Sequence, residues 1–286
     1  MTSAEREARK GRRREKRRRR REGRDHIGVA ALLPNLMTTM NLGAGFYSIV
    51  MASEANYERA AFALILAAVF DTLDGRLARM AHAESKFGSE YDSIADTVSF
   101  GVAPAFLAFN AGNFHELGWT GWVMGFLFLA GAALRLARFN VTPQRYPGRF
   151  EGLPSPAAAG MVVGTVLFVG FLREAGLFIS IPASLPAFGL AALGALMVSP
   201  IPYRSGKNMR FGGSYGSVVL TIFAFVVIFS KPDITLFVIG IVYVLSGPVG
   251  LLMRMRSGTE LEELRHGTEE LRHGTESPAS SKSESA

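Results

Sequence analysis

Apolar stretches separated by short polar breaks recur along this chain from residue 32 to residue 253. Eight can be marked, at 32–53, 58–80, 91–111, 119–138, 155–173, 177–199, 213–230 and 234–253. Each approaches the roughly 20 residues a helix needs to cross the hydrocarbon core of a bilayer. Backbone groups in lipid must be satisfied within the segment, so each stretch is expected to be a helix. The breaks carry turn chemistry: NAGN at 110–113, TPQRYPG at 142–148, PIPYRSG at 200–206 and KPD at 231–233. The sixth stretch is the weakest, because Pro182 and Pro186 lie inside it. The expected fold is all-α, a polytopic membrane helical bundle of about eight transmembrane helices.

Charge divides the 286 residues into three parts. Residues 1–25 hold 13 Lys/Arg and 5 Asp/Glu, a net of +8, and residues 257–286 hold 3 and 7, a net of −4. The middle, 26–256, keeps 15 and 12 and nearly all the apolar mass. We therefore read 1–25 as a disordered basic tail, 26–256 as the membrane domain, and 257–286 as a polar tail. The run GRRREKRRRRREGR at 11–24 suits a topology-setting or anionic-lipid-binding role. It lacks the aromatic interleaving and surrounding fold of a nucleic-acid module, so no nucleic-acid partner is expected. The last tail repeats ELRHGTE at 263–269 and 270–276, too few copies for a solenoid.

Loop charges then orient the bundle. With the basic tail in the cytoplasm, outer loops hold only Arg59, Arg173 and Lys231. Inner loops and helix ends hold Arg76, Arg79, Lys86, Arg138, Arg145, Arg149, Arg204, Lys207, Arg210, Arg254 and Arg256. Both termini are expected in the cytoplasm, with the protein integral to the cytoplasmic (inner) membrane.

The chain has no cysteine, which excludes disulfides, iron–sulfur centres and a thiol nucleophile. Its five histidines form no close metal pair, so a bound metal would have oxygen ligands and be a hard cation such as Mg²⁺ or Mn²⁺. The run FDTLDGRLARMAHAESKFGSEYDSIAD at 70–96 sets four aspartates at the cytoplasmic ends of two expected helices. Asp71 and Asp74 are spaced i, i+3 and Asp92 and Asp96 i, i+4, so each pair shares a helix face. A short loop around Gly88 would make the helices antiparallel neighbours and let the two faces converge. At mid-bilayer each carboxylate costs about 2.5–3.5 kcal/mol, so four cost at most about 10–14 kcal/mol near an interface. Arg76 and Arg79 offset this only in part. Two divalent cations would balance the charge and would suit phosphoryl chemistry. The interleaved Gly75, Ala78 and Gly88 would let a ligand approach the backbone.

Asp71, Asp74, Gly75, Ala78, Arg79, Gly88, Asp92 and Asp96 together form D-x-x-D-G-x-x-A-R, eight residues, then G-x-x-x-D-x-x-x-D. This pattern resembles the signature of the CDP-alcohol phosphotransferase family. The runs PNLMTTMNLGAG at 34–45, SKFGSEYDSIADTVSFGVAPA at 85–105, LRLARFN at 134–140 and FEGLPSPAAAG at 150–160 are similar to its membrane-integral, phosphatidylserine-forming branch. The resemblance covers roughly 30–256. It implies two divalent ions, Mg²⁺ or Mn²⁺, held by Asp71, Asp74, Asp92 and Asp96, with Asp96 also the general base. It implies CDP-diacylglycerol as donor, L-serine as acceptor and CMP as leaving group. A sister enzyme taking glycerol phosphate, inositol phosphate or choline is the alternative.

On that reading Gly75, Ala78 and Gly88 let the nucleotide and phosphates lie close to the helices. Arg79 pairs with phosphate or with the aspartates. Asn35 and Thr38 bind the nucleotide or serve helix packing. Arg135 and Arg138 bind the serine carboxylate or lipid phosphate, or anchor the helix end. Membrane lipids are expected partners, and a homodimer is compatible with all of this.

Overall fold

The computed structural model describes residues 32–80, 85–141, 149–204 and 231–257. Helix α1, Leu32–Ser53, and helix α2, Tyr57–Met80, form a long hairpin joined at Glu54–Asn56. A continuous helical rod follows: α3, Lys86–Thr97, a π-helical turn at Val98–Val102, and α4, Ala103–Ala111. A short 3₁₀ turn at Phe114–Leu117 leads into α5, Trp119–Val141. Strand β1, Arg149–Glu151, precedes α6, Ser155–Glu174; α7 is Ser184–Val198; β2 is Pro202–Arg204; and α8 is Pro232–Ser257. The predicted stretch 213–230, both charged tails and residues 81–84 lie outside the described residues.

The chain is mostly helical, with seven helical rods among the described residues. Lys86–Ala111, Trp119–Val141, Ser155–Glu174 and Pro232–Met253 are long and apolar enough to cross a membrane. Helices α1 and α2 have the length, at 22 and 24 residues, but carry polar and charged side chains along it. The sixth stretch departs from the reading of 177–199: only Ser184–Val198 is helical, 15 residues. Pro182 lies outside the helix, and Pro186 falls in its first turn, where a missing N–H costs nothing. The third begins earlier than hydropathy indicates. The Ser85 hydroxyl caps it by accepting from Gly88 N at 3.0 Å, and its first turns are polar.

Successive rods run up and down. At one end the Tyr57 hydroxyl donates to Asn110 O at 3.3 Å. At the other, Asn140 Nδ2 donates to Ser93 Oγ at 3.0 Å. At that second end β1 and β2 pair antiparallel, Phe150 opposite Tyr203, a two-stranded addition to the expected all-α fold. The fully buried Tyr203 donates to Val244 O at 3.1 Å, and its ring fills the space where any side chain at Gly247 would go. The two interhelical loops are thereby tied to α8.

Two apolar clusters hold the bundle. Phe114, Phe128, Leu153, Leu190 and Met197 join α5, α6 and α7, and Met51, Ala60, Leu64, Leu107 and Leu167 join α1, α2, α4 and α6. Where α5 crosses α7, small residues bring the backbones together. A Cβ at Gly131 would stand 2.5 Å from Gly194 O, and one at Gly194 2.6 Å from Leu127 O. Gly194→Val is expected to cost about 1–3 kcal/mol by overpacking, read as a lower unfolding temperature in detergent. An unchanged midpoint would show that this crossing tolerates separation.

Candidate active site

The acidic residues lie where α2 and α3 both flank α1. Each packs on α1, while α2 and α3 make only marginal backbone contact. They are therefore not the direct antiparallel neighbours that the short loop suggested, and their side chains span a gap. Carboxylate oxygens of Asp71, Asp74 and Asp92 come within 4.8 Å of one another across it. Asp96 follows Asp92 by one turn of α3 and is close enough to all three to feel their charge. Three of the four aspartates expected to converge, Asp71, Asp74 and Asp92, thus form one cluster.

Helix α1 supplies the polar support. The buried Thr38 hydroxyl shares its proton between Asp74 Oδ2, at 2.9 Å, and Pro34 O, at 3.1 Å. Asn41 Nδ2 donates to Asp96 Oδ1 at 3.2 Å. Thr39 and Tyr91 hydroxyls meet at 3.0 Å and link α1 to α3. Thr38 is committed to a carboxylate rather than open to a nucleotide, whereas Asn35 is half-buried beside Gly88, 3.4 Å from where a Cβ there would be. A Cβ at Gly75 would meet only the Arg79 guanidinium, at 3.6 and 4.0 Å, so no packing against neighbouring helices requires glycine there. Ala78 follows in the same helix, with its side chain outside the described ones.

Asp92 Oδ1 is buried without a hydrogen-bond partner. An orphaned carboxylate oxygen facing two more carboxylates is a poor arrangement for protein alone and a suitable one for a cation. Asp71, Asp74 and Asp92 would be the residues to hold it. The all-oxygen donor set fits Mg²⁺ or Mn²⁺.

The two arginines of α5 separate. Arg138 pairs with Glu151 at the end of β1. Arg135 Nη1 donates to the buried Ser155 Oγ at 3.0 Å, and its Nε is buried with no partner. Arg135 also interacts electrostatically with Asp96 and with Tyr243 of α8. Reading the sequence did not single out Asn41, Ser155 or Tyr243. For Asn41 a signal existed: with Asn35 and Thr38 it continues an i, i+3 polar stripe along an apolar helix. Ser155 and Tyr243 meet Arg135 only through tertiary packing, which no local spacing reveals.

A helical bundle with four carboxylates gathered between two helices, backed by a polar stripe on a third, defines a membrane protein with an acidic, cation-suited centre. The model of the CDP-alcohol phosphatidyltransferase family matches residues 31–199, and the chain belongs to that family. It is similar to the CDP-diacylglycerol–serine O-phosphatidyltransferase of Helicobacter pylori, 36% identical over 231 residues, covering 78% of this chain and 92% of that protein. The Mycobacterium tuberculosis protein of the same name is 34% identical over 205 residues, 68% of each chain. The archaetidylserine synthase of Methanothermobacter thermautotrophicus is 34% identical over 173 residues, 60% of this chain and 69% of that one.

Proposed function

We propose that the protein transfers the phosphatidyl group of CDP-diacylglycerol to the hydroxyl of L-serine, giving phosphatidylserine and CMP. The observation that carries this reading is the meeting of Asp71, Asp74 and Asp92 at one centre, with Asp96 a helical turn from Asp92, in a family member whose relatives are named for that reaction. The archaetidylserine synthase shares serine in its name but not the diacyl lipid, which favours serine as the common acceptor.

Serine's hydroxyl is a weak nucleophile until its proton is taken. Asp96 is the proposed base: it accepts that proton as the oxygen attacks the lipid-side phosphorus, and the bond to the CMP oxygen breaks. Asp71, Asp74 and Asp92, with Asp96 sharing, are the proposed ligands of two Mg²⁺ or Mn²⁺ ions, which when bound neutralise the pyrophosphate and the departing CMP. Gly75, Ala78 and Gly88 let the CDP moiety lie against the helices, with Asn35 at its side and Arg79 over the phosphates. Arg135 is the proposed partner of the serine carboxylate: its Nε is unpartnered and it lies near Asp96, whereas Arg138 is engaged by Glu151. The test is CMP release from CDP-diacylglycerol with Mn²⁺ and each acceptor in turn. Serine should support turnover. Turnover with glycerol phosphate, inositol phosphate or choline in its place would redirect the assignment.

We also propose eight crossings with both termini in the cytoplasm and the site opening there. Arg204 lies at the site end, whereas Lys231 stands over the Phe171 ring near the far end of α6. The apolar stretch 213–230, outside the described residues, is the proposed crossing between them. Because the chain has no cysteine, single-cysteine variants report topology cleanly. From outside intact cells, Glu116→Cys should react with an impermeant maleimide and Lys86→Cys should not. The opposite pattern would reverse the orientation.

A further inference from the structure

Asn41 is fully buried in the middle of α1. Its amide nitrogen donates to Asp96 Oδ1 at 3.2 Å, and its own backbone carbonyl accepts from the Ser99 hydroxyl at 3.0 Å. Ser99 is also fully buried and belongs to the π-helical turn that directly follows Asp96. That turn lies against α1 at Gly45, where a Cβ would stand 3.0 Å from Ser99 Cα and 3.1 Å from Ser99 Cβ. A π turn shifts the helical register, which is how such turns re-aim side chains next to functional sites. Here the shift is clamped from one side by a close approach at Gly45 and by two hydrogen bonds converging on Asn41.

We infer that Asn41 is a positioning residue for the transfer reaction. It fixes one oxygen of Asp96, and the Ser99–Gly45 contact fixes Asn41 in turn, so that the second Asp96 oxygen keeps a single orientation. This rests on Asp96 being the base. The arrangement has a chemical logic. A carboxylate rotating freely about its terminal bond offers its basic oxygen in the reactive geometry only part of the time, and a misplacement of about 1 Å can cost on the order of 100-fold in rate. An amide donor is suited to the task, because it binds the carboxylate without contributing a charge that would compete with the cations nearby. A lysine or arginine there would do so. Thr38 supports Asp74, and that is a separate interaction, so the two α1 side chains have different charges to hold.

The experiment uses the purified full-length protein with CDP-diacylglycerol, serine and Mn²⁺. Asn41→Leu keeps the branched side-chain skeleton and removes the donor. Loss of a partner of this kind costs about 10–100-fold, and here the loss should fall on kcat, with KM for CDP-diacylglycerol and the half-saturating Mn²⁺ concentration moving less than about threefold. Near-parental kcat would overturn the inference, and so would a loss appearing mainly as weaker Mn²⁺ activation. The double variant Asn41→Leu/Asp96→Asn should be nearly as active as Asp96→Asn alone, since the amide then has no base to hold. Additive losses would mean that Asn41 acts elsewhere. Should Asn41→Leu not fold, Ser99→Ala decides: it leaves the amide in place and loosens it, and kcat should fall severalfold at constant Mn²⁺ activation. An unchanged kcat in Ser99→Ala would refute the clamp. Failure of the parent protein to release CMP with serine would instead overturn the proposed reaction, a separate result.

Discussion

Asp96→Asn should lower kcat for CMP release by about 10²–10⁴-fold, the usual range for a removed acid or base. The substitution is nearly isosteric. Asn keeps a carbonyl oxygen that can still ligate and can still accept from Asn41 Nδ2, so the surroundings of α3 and the π turn have no reason to rearrange. What it cannot do is take the serine proton. Binding of CDP-diacylglycerol, measured separately by equilibrium retention on protein in mixed micelles, should change little. The decisive comparison is turnover against Mn²⁺ concentration. Because carboxylates this close act on one another, removing one charge will also disturb the cation site somewhat. A loss of turnover that persists at saturating Mn²⁺ belongs to proton transfer. Recovery to near-parental rate at high Mn²⁺ would make Asp96 a ligand and leave the base to be sought on another side chain.

The hydrophobic pattern located the helices of the described residues and several of their boundaries because membrane helices are delimited by where apolar runs stop. Leu32–Ser53 coincides with the first predicted stretch for that reason. The pattern failed where a helix was not uniformly apolar. It placed the start of the third stretch at 91, whereas the helix begins at Lys86, because KFGSEYDS is mostly polar. It extended the sixth back to 177, whereas Leu177–Ala183 is not helical and exposes Leu177, Phe178 and Ile179. The pairing of β1 with β2 left no trace at all: three-residue strands show no alternation, and the partners are distant in sequence.

The site divides along the same line. The aspartates and glycines were legible because charge and small size are conspicuous in an apolar helix, and because i, i+3 and i, i+4 spacing dictates a shared face. The gap between α2 and α3 was not legible. A short connection suggests contact, and only packing on α1 shows that the two helices flank a third. The same blindness covered Asn41 and Ser99, whose meaning depends on which residues face them. Arg135 and Arg138, equivalent in sequence, are distinguished by Ser155 and Glu151 from a different helix and strand.

Removing divalent cations should abolish CMP release, and Mn²⁺ or Mg²⁺ should restore it. Asp71, Asp74 and Asp92 crowd their carboxylates together, and Asp92 Oδ1 has no hydrogen-bond partner among the described residues. With the cations gone, three carboxylates within 4.8 Å of one another repel, and the pyrophosphate of the donor would add negative charge to the same place. Binding of CDP-diacylglycerol should therefore weaken along with turnover, which distinguishes this case from Asp96→Asn. The ligand variants follow. Asp71→Asn, Asp74→Asn and Asp92→Asn each keep an oxygen but lose a charge, and the half-saturating Mn²⁺ concentration should rise by about 10–100-fold or more, since even partners one shell further out have effects of that size. Added Mn²⁺ should recover part of their rate. Asp74→Asn should be the least recoverable, because Asp74 is the most buried of the three and Thr38 is already bound to it, so the site has least freedom to readjust there. Full turnover after exhaustive chelation, with residual Mn²⁺ and Mg²⁺ verified by elemental analysis, would remove the cations from the reaction and leave the acidic cluster without its chemical role.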